Sequence, residues 1–181
     1  MLLWTIPAVS VASFLPLAIH GADSDGIHLY LRATARLSGL LFLVPFTASA
    51  LHRLFRRPAT RWAVRERRWL GLTFAVAHAW HASTVALFLI EPHEVVSIVT
   101  GIGGGLGFLT TAALAATSND WAVRTLGRRW RSLHAAGIHY LWFVFTSTGA
   151  GAAVAIGRPG TIAITGLMVA ALGLRVYGRK R

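Results

Sequence analysis

Residues 69–90 read WLGLTFAVAHAWHASTVALFLI, an uncharged apolar run that carries two histidines, His78 and His81. A run of this length can cross the ~30 Å hydrocarbon core of a bilayer as one helix. Further runs of roughly 18 to 23 residues lie at 2–19, 30–51, 95–117, 133–156 and 161–177. With 55% hydrophobic residues and a mean hydropathy of +0.57, the composition lies outside the range of soluble domains. The sequence therefore predicts an all-α membrane protein, a bundle of six transmembrane helices.

The basic residues are distributed unevenly between the connections. Lys and Arg total 18 against six Asp and Glu, a formal net charge of +12. Seven arginines lie between residues 53 and 68, four lie between 124 and 131, and four basic residues follow from 175 onward, whereas the alternate connections carry Asp23, Asp25, Glu91 and Glu94. The positive-inside rule then places both termini in the cytoplasm of a multi-pass protein. Because orientation and lipid-headgroup contacts account for the charge, we expect no nucleic-acid surface.

The chain has no cysteine. Disulfides, thiolate zinc sites and cysteine-ligated iron-sulfur clusters are therefore excluded, and any metal must be held by histidine or oxygen. No linker or repeat divides residues 1–181, so we predict a single integral membrane domain. The longest polar stretch, 52–68, is too short for a nucleotide-binding domain, and chemistry must take place within the bundle or at its faces.

Four of the eight histidines lie inside two apolar segments, His78 and His81 in the third and His134 and His139 in the fifth. An ionisable side chain in the hydrocarbon layer is expensive to keep without a partner, and histidines on neighbouring helices are suited to ligate a haem iron. His78 and His81 are three residues apart and share a helix face. His134 and His139 are about 140° apart around a helix axis, so we expect only one of them to face His81.

Depth in the membrane provides a second expectation. At about 1.5 Å per residue, His78 lies about 15 Å from Arg68 and His139 about 12 Å from Arg131, so these two histidines match best. The alternative for each histidine is a structural hydrogen bond to a neighbouring helix. Transport of zinc, copper or protons is disfavoured because no Asp or Glu lies deep in a segment.

Arg32 and Arg36 are basic residues near the outer end of the second segment, four apart on one helix face. Three kinds of anion could neutralise them: the carboxylates of the outer connections, lipid phosphates and the propionates of a haem. The sequence leaves all three open.

Glycines recur through the fourth segment at residues 101, 103, 104, 105 and 107. They fit neither the dinucleotide-binding pattern nor the phosphate-loop pattern. Small residues four apart let membrane helices approach closely. We therefore interpret the run as a close-packing surface or as clearance for a flat cofactor.

Two blocks of sequence resemble a known family. The first is RRWLGL at 67–72 with His81 nine residues further on, and the second runs from TSN at 117–119 through LGRRW at 126–130 to His134. These blocks are similar to the ferric reductase-like transmembrane domain family, and more narrowly to the haem-binding membrane subunits of bacterial periplasmic methionine sulfoxide reductase systems. The resemblance covers roughly residues 30–142, within a ferric reductase-like core of about 30–156.

The resemblance implies a six-helix b-type cytochrome of a bacterial inner membrane, with haem ligands on the third and fifth helices. His81 matches the family ligand on the third helix, and His134 matches the first histidine on the fifth. The family usually has a second histidine about thirteen residues later, where this chain has Ser147, and His139 is the nearest other imidazole. Arg67 stands where two-haem ferric reductases have their inner third-helix histidine. One haem b is therefore implied rather than two.

The sequence thus favours a membrane haem b electron carrier, the electron-transfer subunit of an oxidoreductase system. It would take electrons from quinol or a cytoplasmic flavoprotein, with a quinone or flavin site at the cytoplasmic face, and pass them to a separate redox partner protein near the outer face. The residues assigned to the cofactor are His81, His139, His134, His78, Arg36 and Arg32, the first three as metal ligands. The alternative is a cofactor-free membrane scaffold or small transporter whose histidines are structural or relay protons.

Overall fold

A computed structural model describes residues 2–21, 23–90 and 96–179, apart from the side chains of Leu2, Leu3, His20 and Ile156. Within these ranges the chain folds into eight α-helices and has no β-strand. The helices are α1 (Leu2–His20), α2 (Ser24–Phe55), α3 (Pro58–Arg65), α4 (Arg67–Leu89), α5 (Ile98–Ala116), α6 (Asp120–Leu126), α7 (Arg128–Ile156) and α8 (Pro159–Tyr177). The all-α prediction is confirmed, and each apolar segment lies on one long helix to within a few residues.

Four of these helices, α2, α4, α5 and α8, are long and apolar enough to cross a membrane. In α1 the apolar stretch with described side chains is Trp4–Ile19, and in α7 the hydropathy is lowered by His134, His139 and the hydroxyl residues 146–148. A bundle of six membrane spans with cytoplasmic termini therefore stays a prediction. We call the end of the bundle that carries the arginine-rich connections and residues 175–179 the basic end.

The long helices α2, α4, α5, α7 and α8 form a closed ring. α2 packs on α4, α4 on α5, α5 on α7, α7 on α8, and α8 returns to α2. α1 lies outside the ring against α2 and α4, where Trp80 Nε1 donates a hydrogen bond to Ser10 Oγ at 3.0 Å. The ring interior is filled by a core of Phe42, Phe46, Phe74, Leu141, Met168 and Ala171.

Local signals fix both ends of α7, the helix that carries His134 and His139. Gly127 before it has a φ of +50°, and Gly157 after it has a φ of +65°. Glycine adopts positive φ without the steric cost that other residues meet. The preceding helix α6 is capped by Asn119, whose side chain accepts a hydrogen bond from the Ala122 amide at 2.8 Å. These breaks set where α7 starts and therefore the height of its histidines in the bundle.

The glycines of α5 pack less tightly than the sequence predicts. A Cβ built on Gly107 would lie 3.7 Å from a methyl group of Val144 on α7. No described atom lies within 4 Å of the corresponding position on Gly101, Gly103, Gly104 or Gly105. Close packing is therefore confirmed at Gly107. At the other four glycines the Cβ positions are open, so of the two interpretations clearance for a cofactor stays a prediction there.

The tightest approach of α5 to α7 comes at Gly137 instead. A Cβ there would lie 3.0 Å from Leu114 Cδ2 and 3.1 Å from Thr110 Cγ2. We expect Gly137→Leu to lower the free energy of unfolding by about 1–3 kcal/mol, because the larger side chain forces the two helices apart. Gly151→Leu on the same helix is the matched control, since no described atom lies within 4 Å of its Cβ position. Equal stability of the two variants in detergent would contradict this packing.

Candidate functional site

A cavity of about 580 Å³ lies inside the helix ring at the basic end. This volume is within the range of small-molecule and cofactor sites, roughly 300–1,000 Å³. Its apolar walls include Phe42, Phe46, Phe74, Leu114, Ile138 and Leu141. Its polar walls include Arg67 of α4, His134 and His139 of α7, and Arg175 of α8. The cavity therefore combines an apolar interior with imidazoles and guanidinium groups.

Small residues keep the α4 side of the cavity open. Gly71 lines it, and no described atom lies within 4 Å of the position that a Cβ on Gly71 would take. Ala75, one turn further along α4, and Ala135 on α7 also line the cavity. The α4 and α7 walls of the cavity thus carry little side-chain bulk at these positions.

His139 is held in a single tautomer. Its Nδ1 lies 2.7 Å from the Ala135 carbonyl oxygen, and since a carbonyl only accepts hydrogen bonds, Nδ1 carries the proton. In the neutral imidazole Nε2 is then unprotonated and available to a metal. A hydrogen bond from the second ring nitrogen to a carbonyl is the usual orienting contact of a metal-binding histidine. Neutral His139 therefore presents Nε2 as its free nitrogen, the tautomer that a histidine ligand to iron needs.

His134 is already engaged with the protein. Its Nε2 lies 2.9 Å from Thr117 Oγ1, and its ring stacks on Trp130 with centroids 4.1 Å apart. The Trp130 Nε1 in turn donates to the Thr117 carbonyl at 2.8 Å. These contacts join the start of α7 to the end of α5, so His134 has a structural role in the wall of the same cavity.

His81 and His78 form a separate group in the interior. The Thr34 hydroxyl donates its one proton to the Tyr30 carbonyl at 2.9 Å, so its oxygen accepts from His81 Nδ1 at 3.1 Å and leaves His81 Nε2 unprotonated. His78 is buried, its ring centroid lies 5.8 Å from that of His81, and its Nδ1 has no hydrogen-bond partner in the described part of the chain. Neither residue is among those lining the cavity.

Phenylalanine rings separate the two histidine groups. Phe42, Phe74 and Phe145, which we call the phenylalanine layer, contact one another with centroids 5.3–6.1 Å apart. On one side the layer meets His78, and on the other it meets Phe46, whose ring centroid lies 6.2 Å from that of His139. His78 and His139 thus contact different phenylalanines, and the depth match between them stays a prediction. Pairing of His81 with His139 or His134 across one iron stays a prediction.

Arg32 and Arg36 lie away from the cavity. A Cβ on Gly160, at the start of α8, would lie 3.3 Å from the guanidinium carbon of Arg36, which places Arg36 beside the opposite end of α8. The described residues give neither arginine an ion pair, and Glu91 and Glu94 lie outside the described residues. A propionate-binding role for these two arginines stays a prediction.

The sequence did not identify Arg67 or Arg175 as site residues. Arg67 Nη1 donates to Ser49 Oγ at 3.2 Å. Arg175 Nη1 donates to the Phe46 carbonyl oxygen, and its guanidinium carbon lies 4.4 Å from the centroid of the Phe46 ring. Both arginines lie in basic segments whose charge the positive-inside rule already explains, so the sequence offered no reason to assign them to a site. Gly71 was missed as well, although a lone glycine on a predicted membrane helix is itself a signal of close approach or clearance.

A multi-ligand metal centre does not form in the described part of the chain. No group of three or more His, Cys, Asp or Glu side chains comes together there. A zinc or copper site of the usual kind needs such a group. A haem needs only one or two protein ligands to its iron. The cavity with His139 in its wall therefore meets the ligand requirement of a haem site.

Comparison with known proteins places this geometry in context. The chain is 31% identical to the "Protein-methionine-sulfoxide reductase heme-binding subunit MsrQ" of Salmonella paratyphi B, over 78% of this chain and 80% of the relative. The proteins of the same name from Salmonella newport and Salmonella heidelberg match with the same identity and coverage. No protein-family model matches the chain, and no solved structure matches it.

Proposed function

This chain belongs to the family of protein-methionine-sulfoxide reductase heme-binding subunits, and from that premise we propose that it is the haem-binding electron-transfer subunit of a bacterial inner-membrane system. It binds one haem b and passes electrons to a separate partner protein that reduces methionine sulfoxide. The basic end faces the cytoplasm by the positive-inside rule. The electron donor, quinol or a flavoprotein, acts at that end, and the partner protein acts at the opposite face.

The observation that supports this proposal most directly is the cavity with His139 in its wall. The cavity has the volume of a cofactor site, about 580 Å³. His139 presents an unprotonated Nε2 because its Nδ1 donates to the Ala135 carbonyl. Gly71 and Ala75 leave the opposing wall open. Residues and space thus fit a planar iron macrocycle with one imidazole ligand.

Each group in the wall has a distinct part in this function. Haem supplies reversible one-electron exchange when it is bound. His139 would hold the iron, and the Ala135 carbonyl would keep the imidazole in the tautomer that leaves Nε2 free for it. Phe42 and Phe74 exclude water from the apolar side, which sets a low local dielectric around the cofactor.

The other two candidate ligands rank below His139. His134 lines the same cavity, but its Nε2 is already bonded to Thr117, so ligation would first have to break that contact. His81 keeps an unprotonated Nε2 on the far side of the phenylalanine layer. His81 would be the ligand of a haem bound between α4 and α5, where Gly104 is open and Phe108 contacts both His78 and His81.

A visible spectrum with quantified iron tests the function. The full chain, expressed with sufficient haem and purified in detergent, should show a Soret band and a reduced alpha band, with about one iron per chain. A protein without these bands would be a cofactor-free scaffold or small transporter, and the haem proposal would be wrong. Two irons per chain would show that a second haem is bound on the His81 side of the phenylalanine layer.

A further inference from the structure

The arginines in the cavity outnumber the carboxylates that could neutralise them. Arg68 pairs with Asp120 at 2.8 Å, and Arg65 pairs with Glu66 at 3.0 Å. Among the described residues these pairs use the available acids at the cavity. Arg67 and Arg175 line the cavity and are only partly exposed, yet neither has a carboxylate partner there. The cavity is therefore a positively charged site inside an apolar bundle.

Arg67 and Arg175 line the same cavity. They come from α4 and α8, the two helices that flank α2 in the ring. An arginine has five N–H donors, and one donor of each is used in the protein, toward Ser49 Oγ and the Phe46 carbonyl. Two like charges held together away from bulk water are unfavourable unless an anion lies between them. The remaining donors have the geometry to bind carboxylates in a bidentate manner.

We propose that Arg67 and Arg175 bind the two propionate carboxylates of the haem and so fix its carboxylate edge toward the basic end. This inference rests on the proposed function. The sequence assigned the propionates to Arg32 and Arg36, which lie away from the cavity. The present proposal assigns them to Arg67 and Arg175, which line it. The contact of Arg175 with the Phe46 ring and carbonyl holds its guanidinium in place, which reduces the entropy lost when a carboxylate binds.

Titration of haem-free protein in detergent with two porphyrins tests the proposal. The probes are iron protoporphyrin IX, with free propionates, and its dimethyl ester, which has the same ring and iron but no carboxylate. The wild-type chain should bind the free acid at least tenfold more tightly. Arg67→Gln and Arg175→Gln should each weaken binding of the free acid roughly tenfold and leave ester binding nearly unchanged.

Arg68→Gln is the matched control, since Arg68 lines the same cavity but is paired with Asp120. It should keep the wild-type preference for the free acid. Equal binding of the two porphyrins by the wild-type chain would overturn the proposal while leaving haem binding intact, and so would an equal loss of both porphyrins in the glutamine variants. Binding of neither porphyrin by the wild-type chain would overturn the proposed function itself. Arg175→Lys, which keeps the charge but not the planar fork, should fall between wild type and Arg175→Gln.

Discussion

His139→Ala should abolish haem retention, with binding weakened by at least about a hundredfold. The substitution removes the imidazole whose Nε2 is kept unprotonated by the Ala135 carbonyl, and a loss of 10–100-fold is already typical when only an orienting partner of a metal ligand is removed. Purified His139→Ala should therefore lack the Soret band of the wild-type chain. His139→Gly, with exogenous imidazole added, should recover it, because the free ligand can occupy the vacated space.

Two other histidines serve as controls for this substitution. His81→Ala removes an imidazole beyond the phenylalanine layer and should retain haem. His134→Ala breaks the contact with Thr117 and should lower stability while the haem spectrum persists. If His81→Ala lost haem and His139→Ala kept it, the cofactor would be bound on the other side of the layer, as the family resemblance alone implied.

Gly71→Leu should exclude haem while leaving the fold intact. No described atom lies within 4 Å of the Cβ position on Gly71, so the leucine side chain enters the open cavity rather than a packed wall. Replacing a mid-helix glycine also favours the helix by up to ~1 kcal/mol, so the unfolding temperature should not fall. We expect haem affinity to drop at least tenfold because the side chain occupies cofactor volume, measured by the same titration.

Gly101→Leu on α5 provides the comparison for this steric test. Its Cβ position is equally open, but Gly101 does not line the cavity, so haem affinity should stay at the wild-type value. Retention of haem by Gly71→Leu would show that the cofactor does not lie against this part of α4.

Hydropathy was sufficient to predict the long helices, but the relative height of their residues cannot be derived from it. Counting from Arg68 and Arg131 put His78 and His139 at similar depths, since it assumes that both helices enter the membrane at the same level. In the fold α7 starts at Arg128, after the turn at Gly127, and its His139 lies beside Phe46 rather than His78. The height of one helix relative to another depends on the connecting turns and on how side chains interlock between helices. Neither can be calculated from the rise per residue of a helix.

Two features of the site could not be predicted from the sequence, the tautomer of His139 and the meeting of Arg67 and Arg175 in one cavity. Both depend on contacts that are distant in sequence or specific to one rotamer. Arg175 bonds a carbonyl 129 positions away in the chain. Its charge had a sufficient explanation in membrane topology, so the sequence offered no reason to assign it to a site. His139, by contrast, was predicted as a ligand because an imidazole inside an apolar segment is costly without a purpose, and that argument requires no partner to be known.

The phenylalanine layer also bears on the permeability of the protein to ions. Phe42 and Phe74 are nearly inaccessible to solvent, and their rings contact each other and Phe145. These three side chains offer no hydrogen-bonding group to a hydrated ion or a chain of waters. In the function proposed above, the layer therefore opposes a proton leak past the redox site at the basic end and helps to preserve the electrochemical gradient across the bilayer.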